Sequence, residues 1–298
     1  MRPMSCDTEI LHNPYRVAVT KDGEWLATFT PDCYTVTTAG PQRVFTEKFR
    51  RGTKTVEVRV AHDVWVRSAP GPVDIKIDER WLRLALDANQ RQVPDALAIA
   101  TQYLKGSPPV LIGDLQVSGD ASYGPLRKEG SDFNDYLGIR WLYPDDSPDE
   151  PESNQVRCLD CSGYMRMIWG YRHHLPGSGY IDSVPMSLRP KHGAALPRRA
   201  VDMYHCAPGL ILHADRGSQL TNFEHLDIGD LVFFDGSDDD GDAIDHVGMY
   251  LGADLDGRHR FISSRKTPDG PTFADFGGTS LLDGDGHYAK AFRAVRRL

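Results

Sequence analysis

Cysteine is scarce in this chain, and long apolar runs are missing. The 298 residues include 5 cysteines, too few and too scattered for a disulfide framework, so we expect reduced thiols. No stretch reaches the length of apolar sequence that a membrane span requires. Residues 1–15 lack the apolar core of a signal peptide, so the chain as written carries no readable export address. The length is sufficient to bury a core without disulfides.

An excess of positive charge is also missing. Asp and Glu number 42 against 34 Lys and Arg, which gives a formal net charge of -8. Because nucleic-acid-binding proteins usually present a basic surface, no nucleic-acid partner is predicted. The arginine-rich segment 293–297 closes a predicted strand, and we interpret it as a solvated strand end.

The first 75 residues have the pattern of β-strands and turns. Apolar and polar residues alternate on both sides of Lys21-Asp22-Gly23, which predicts a hairpin. Further β-rich segments at 33–38 and 53–68 are separated by Gly40-Pro41 and Arg51-Gly52. We therefore predict a small antiparallel β domain at residues 1–75, followed by a linker with a short helix at 76–93. Two roles stay open for it: binding substrate, and packing against the rest of the chain.

The remaining residues, 94–298, predict an α+β domain. A helix is expected from Pro94 to a stop at Gly106, and long loops fill 106–157. Helical spacing of apolar residues returns after Asp160 and again within 196–206. Alternating patterns then predict the strands Leu231–Phe234, His246–Leu251, His259–Ser264 and Tyr288–Val295. Helices followed by antiparallel strands are typical of the α+β class.

The pentad Asp160-Cys161-Ser162-Gly163-Tyr164 opens one of these helices, whose apolar spacing runs to Leu175. Asp is a favoured N-cap residue, so Cys161 falls in the first turn. Unpaired backbone N–H groups and the positive end of the helix dipole favour a thiolate there, and the thiolate is the nucleophilic form. The alternative interpretation is a buried structural cysteine.

A nucleophilic cysteine needs a base, and His246 is the candidate. It stands at the start of the predicted strand His246–Leu251, after the buried strand that follows Gly229-Asp230. A histidine at a strand end can reach a thiol at the start of a helix packed beside it. Alone, such a histidine is more often structural; its combination with the Cys161 pentad favours catalysis.

The three motifs in series resemble the NlpC family of bacterial cell-wall cysteine peptidases, over about residues 94–298. They are Asp160-Cys161-Ser162-Gly163, then residues 229–234, then residues 246–252. The resemblance implies a papain-like core and cleavage of peptide bonds in peptidoglycan stem peptides. It also implies that Cys161 attacks the carbonyl carbon, that His246 transfers the proton, and that the Cys161 N–H helps to hold the oxyanion.

The third catalytic position departs from the family pattern. The family usually has His, Asn or Gln where this chain has Ser263, so either Ser263 or an unidentified residue orients the base. For substrate or oxyanion contacts the resemblance implies Asp160, Ser162 (towards a substrate amine) and an upstream tyrosine. Tyr143 is the preferred tyrosine and Tyr136 the second candidate.

Other signals point elsewhere but are incomplete. Cys158-Leu159-Asp160-Cys161 spells C-x-x-C, yet it lacks the second ligand pair of a zinc site and the βαβ context of a redox motif. The acidic run Asp235–Asp242 lacks the terminal Glu of a calcium loop. We predict neither a metal nor a cofactor.

The alternatives to a peptidoglycan endopeptidase are a non-wall amidase, deamidase or acyltransferase, and a degenerate wall-binding protein. The resemblance implies an extracellular, cell-wall location, whereas the chain as written implies a cytoplasmic one. The scissile bond and the oligomeric state stay open.

Overall fold

The computed structural model describes residues 6–144, 148–172, 183–237, 241 and 243–298. Its strands are β1 Asp7–Leu11, β2 Arg16–Lys21, β3 Glu24–Phe29, β4 Thr35–Arg51, β5 Lys54–Ser68, β6 Val110–Ile112, β7 Leu115–Ser118, β8 Trp141–Leu142, β9 Pro148–Asp149, β10 Leu210–His213, β11 Leu231–Phe234, β12 His246–Ala253, β13 His259–Arg265, β14 Gly270–Thr272 and β15 Phe292–Arg297. Its α-helices are α1 Glu79–Gln90, α2 Ala96–Thr101, α3 Phe133–Leu137, α4 Cys161–Arg166, α5 Ala200–Cys206 and α6 His287–Ala291. Shorter turns of 3₁₀ helix span Pro125–Arg127 and Ser153–Gln155, and a π-helix spans Met167–Arg172.

Strands β1 to β5 form an antiparallel sheet in sequence order. The predicted hairpin is confirmed as β2 and β3, joined at Asp22-Gly23. The predicted interruption at Gly40-Pro41 is wrong, because β4 continues through it with a bulge between Ala39 and Arg43. A bulge leaves residues out of the ladder without ending the strand, so the proline is tolerated.

A second antiparallel sheet has the strand order β10-β15-β11-β12-β13-β14. The strands predicted at 231–234, 246–251 and 259–264 are confirmed as β11, β12 and β13. The strand predicted at Tyr288–Val295 is wrong at its start, because α6 precedes β15. Helix α6 places the Tyr288 ring 5.4 Å from the Phe234 ring, where the tyrosine packs over the sheet.

Two predicted helices are shorter than expected. Helix α2 begins after its N-cap Asp95 but ends at Thr101, and the N–H of Leu104 then bonds to the Thr101 carbonyl as a tight turn. Helix α4 ends at Arg166 and continues as the π-helix Met167–Arg172. Its predicted extension to Leu175 lies beyond 172, outside the described residues.

Helix α4 packs on β12 and β13 and fixes the position of the site. Tyr164 and Met165 share one buried apolar cluster with Val247 and Ile262. The arrangement is a mixed α and antiparallel β fold with an N-terminal sheet. Within the described ranges, no helix is both long and apolar enough to cross a membrane.

The long hairpin formed by β4 and β5 ties the first sheet to the second. Val58 and Val60 belong to the same apolar cluster as helix α4. The Glu47 carboxylate accepts hydrogen bonds from the Thr272 hydroxyl at 2.7 Å and from the N–H groups of Phe273 and Ala274 at 2.7 and 2.9 Å. The first sheet therefore shares its core with the predicted catalytic part.

The Glu47 contacts predict a large stability effect. Glu47→Ala should lower the free energy of unfolding by about 3 kcal/mol, because it leaves the buried Phe273 N–H and the buried Thr272 hydroxyl without their acceptor. The Ala274 N–H keeps only its longer bond, 3.2 Å, to the Thr272 hydroxyl oxygen. Urea denaturation followed by tryptophan fluorescence measures the change. The matched control is Glu57→Ala, on the exposed part of the same hairpin, which should change stability by less than about 0.5 kcal/mol. Equal effects of the two substitutions would contradict the prediction.

Candidate active site

Cys161 begins helix α4, as the sequence predicts. Asp160 is the N-cap, and its carboxylate accepts the Gly163 N–H at 2.8 Å. The Cys161 side chain is buried, and the backbone N–H of Val247 donates to its sulfur. Because Val247 follows His246 on β12, the thiol lies at the start of the strand that carries the candidate base.

His246 is held by aromatic packing. Its ring centroid lies 5.7 Å from that of Phe234 and 5.3 Å from that of Tyr288. Only 9% of the residue is exposed, and the described residues supply no hydrogen-bond partner for its buried Nε2 atom. The imidazole is thus positioned by shape, with one ring nitrogen unsatisfied.

Ser263 lies on the same sheet face as His246. A Cβ atom built on Gly248, two residues after His246, would lie 3.2 Å from the Ser263 Cβ. Within the described part of the chain, the buried Ser263 Oγ also has no hydrogen-bond partner. The structure therefore places two unsatisfied polar atoms on one face, without a hydrogen bond between them.

Two adjoining cavities open at these residues. The larger, about 550 Å³, is lined by Cys161, Ser162 and Arg198, and we call it the nucleophile lobe. The smaller, about 260 Å³, is lined by His246 and is called the imidazole lobe. Glu129 and Asp245 line both lobes, so the two cavities meet at these residues. Together they form a cleft with the thiol on one side and the imidazole on the other.

Burial keeps both candidate catalytic groups uncharged. It raises the pKa of the Cys161 thiol to about 12, and the negative charge of Asp160 adds to the effect. It lowers the pKa of His246 to about 3, reinforced by the positive charge of Arg265. Burial therefore outweighs the stabilisation of the thiolate by the helix N-terminus, because desolvation disfavours a buried charge. The resting pair is a neutral thiol and a neutral imidazole.

The two tyrosines predicted from the sequence lie away from the cleft. The Tyr136 hydroxyl donates to the Gly119 carbonyl at 3.0 Å, and the Tyr143 hydroxyl accepts from the Arg166 guanidinium. Tyr123 lines the imidazole lobe instead, and its pKa is raised by burial first and then by the negative charge of Cys161 in its thiolate form. Sequence reasoning missed Tyr123, because contacts with distant residues place its segment at the site. Among them are the bridge between Ser122 and Cys158 and the bond from the Tyr123 N–H to the Asp269 carboxylate at 3.1 Å.

Asp160 and Ser162 are joined by an arginine that sequence reasoning also missed. Arg198 donates to the two Asp160 carboxylate oxygens at 3.1 and 2.6 Å and to the Ser162 hydroxyl at 2.6 Å. The positive charge of Arg198 offsets burial and lowers the pKa of Asp160. No spacing in the sequence links Arg198 to Asp160, since 38 residues separate them.

Two further sequence signals fall near this site. Cys158 and Cys161 are both free thiols, and burial raises the pKa of Cys158. The acidic run Asp235–Asp242 lies partly outside the described residues, at 238–240 and 242.

Residues 152–270 match the model of the NlpC/P60 family, whose members are in general cysteine peptidases that act on peptidoglycan. The matched segment contains Cys161, His246 and Ser263 and is narrower than the 94–298 expected from the motifs. An NlpC/P60 domain is therefore present in this chain. No curated protein and no solved structure matches it.

The neutral imidazole predicts a specific dependence of stability on pH. Unfolded His246 titrates near its usual pKa of about 6.5, whereas folded His246 titrates at about 3. The unfolded state therefore binds more protons below pH 6.5, and stability falls with pH down to the folded pKa. When the pH is lowered from 7 to 4.5, the free energy of unfolding of the wild type should fall by about 2 to 3 kcal/mol more than that of His246→Gln.

Urea denaturation at a series of pH values measures this difference. The control is His12→Gln, at an exposed position, which should follow the wild-type curve. Parallel curves for the wild type and His246→Gln would show that the buried imidazole is not neutral.

Proposed function

We propose that this protein is a thiol hydrolase that cleaves peptide bonds in peptidoglycan stem peptides. The family match supports the substrate class and the thiol chemistry. The observation that carries the proposal is the bond from the Val247 N–H to the Cys161 sulfur, because it holds the thiol beside the residue preceding Val247, His246. The cleft between these two side chains leaves room for a peptide.

In the proposed reaction, the Cys161 sulfur attacks the carbonyl carbon while its proton moves to His246. Collapse of the tetrahedral intermediate breaks the C–N bond, and His246 returns the proton to the leaving amine. Water then attacks the thioester with His246 as the base, which releases the acid and restores the thiol. The Cys161 N–H and the Tyr123 hydroxyl are the proposed oxyanion donors.

Proton transfer within the pair reconciles the pKa values with this chemistry. A lone thiolate or a lone imidazolium is disfavoured by burial at this site, but the two together form an ion pair whose attraction offsets part of that cost. Ser263 is the proposed positioning residue for the imidazolium, since its hydroxyl oxygen can accept the Nε2–H that proton transfer leaves in place. Both atoms have no other partner among the described residues.

Replacing the pair should abolish hydrolysis. Cys161→Ala and His246→Gln should each lower the turnover of purified peptidoglycan by at least about 10³-fold, since neither attack nor proton transfer then has its group. Mass analysis of the soluble fragments measures turnover and identifies the bond. Cys158→Ser is the matched control and should keep wild-type activity. A Cys161→Ala protein that still releases the same fragments would refute thiol catalysis.

Tyr123 and Tyr143 form a second matched pair. Tyr123→Phe removes a proposed oxyanion donor and should lower kcat about 10- to 100-fold with little change in KM. Tyr143→Phe removes only a partner of the buried Arg166 and should lower the melting temperature while kcat stays close to wild type. If Tyr143→Phe proved the slower enzyme, the oxyanion role would pass from Tyr123 to Tyr143.

A further inference from the structure

We infer that the nucleophile lobe receives acyl groups without a free amine, such as internal or N-acylated peptides. This inference rests on the proposed hydrolase function and concerns the substrate that the same cleft accepts. It departs from the sequence-based expectation that Ser162 contacts a substrate amine.

The Asp160 carboxylate has no capacity left for an ammonium group. It accepts hydrogen bonds from the N–H groups of Gly163 at 2.8 Å and Gly130 at 2.9 Å, from the Ser162 hydroxyl at 3.2 Å, and from Arg198 at 3.1 and 2.6 Å. These five donors use the four lone-pair directions of a carboxylate. A substrate amine would have to displace one of them.

The Ser162 hydroxyl belongs to the same network. Its single proton points to Asp160, and its oxygen accepts from Arg198 at 2.6 Å. An ammonium group that used the remaining lone pair of this oxygen would lie beside the Arg198 guanidinium, and the two positive charges would repel each other.

Arg198 also covers Asp160 on the cleft side. The Arg198 side chain is 17% exposed and lines the lobe, while the Asp160 side chain is 5% exposed beneath it. An ammonium group approaching the carboxylate therefore meets a positive charge first. Displacing the guanidinium would leave a buried arginine without this partner, which is strongly unfavourable.

The other charged residues on the wall are of both signs. Glu129 is paired with Lys266 at 2.8 Å, and Asp245 accepts the Gly236 N–H at 2.8 Å. Arg199 is exposed, lines the lobe, and has no side-chain partner among the described residues. The two guanidiniums of this lobe, Arg198 and Arg199, stand on the side of Asp160 and repel an ammonium group that approaches that carboxylate, whereas an amide or an acyl group is tolerated.

Binding to a catalytically silent protein tests the inference apart from the reaction. Isothermal titration calorimetry on Cys161→Ser compares a stem tripeptide bearing a free amino terminus with the same peptide N-acetylated. The acetylated peptide should bind at least as tightly as the free one. Binding of the free amine about tenfold or more tighter would overturn the inference, whatever the hydrolysis assay shows.

A second variant reports on Arg198 itself. Arg198→Met in the Cys161→Ser background uncovers the Asp160 charge and should shift the affinity ratio about tenfold towards the free-amine peptide. Arg198→Lys keeps a positive charge at this position, so its affinity ratio for the two peptides should stay close to that of the Cys161→Ser protein. An unchanged ratio in a folded Arg198→Met protein would also overturn the inference. If that variant does not fold, the comparison of the two peptides on Cys161→Ser still decides.

Discussion

The buried carboxylate of Asp160 is the interaction on which the site depends. It caps helix α4 through Gly163, holds the 130 loop through Gly130, and draws in Arg198 from the residues before helix α5. A buried carboxylate without such donors would take up a proton or unfold its surroundings, so the cap, the loop and the arginine stabilise each other. The same group sets the position of the sulfur one residue later and the charge that the cleft presents.

The cleft combines two opposite electrostatic environments. The buried charges of Asp160 and Arg198 are paired within hydrogen-bonding distance, whereas Cys161 and His246 lie where burial suppresses charge on either group. In such a place the transfer of one proton between neighbours is less costly than ionisation of either group by solvent. Reactivity would therefore depend on how closely thiol, imidazole and carbonyl approach, more than on the bulk pH.

The elements with local signals could be predicted from the sequence. The N-cap before Cys161, the strand that starts at His246 and the first hairpin all follow from capping and alternation. Contacts made over long distances in the chain could not. Arg198 pairs with Asp160 across 38 residues, and Tyr123 is placed at the cleft by the bridge between Ser122 and Cys158 and by its own bond to Asp269. Continuation of β4 through Gly40-Pro41 likewise depends on its partner strand β5, which no local pattern reveals.

The hairpin of β4 and β5 has a consequence for how such a protein can evolve. It carries Glu47 onto the backbone at 273–274, and it supplies Val58, the cross-strand partner of Glu47, and Val60 to the core beneath the nucleophile helix. Recombination that exchanged the amino-terminal sheet for an unrelated module would strip apolar side chains from the hydrolase interior. We therefore expect the amino-terminal sheet and the hydrolase part to be inherited together. A substitution in either part is constrained by contacts with residues more than 200 positions away, as between 47 and 273.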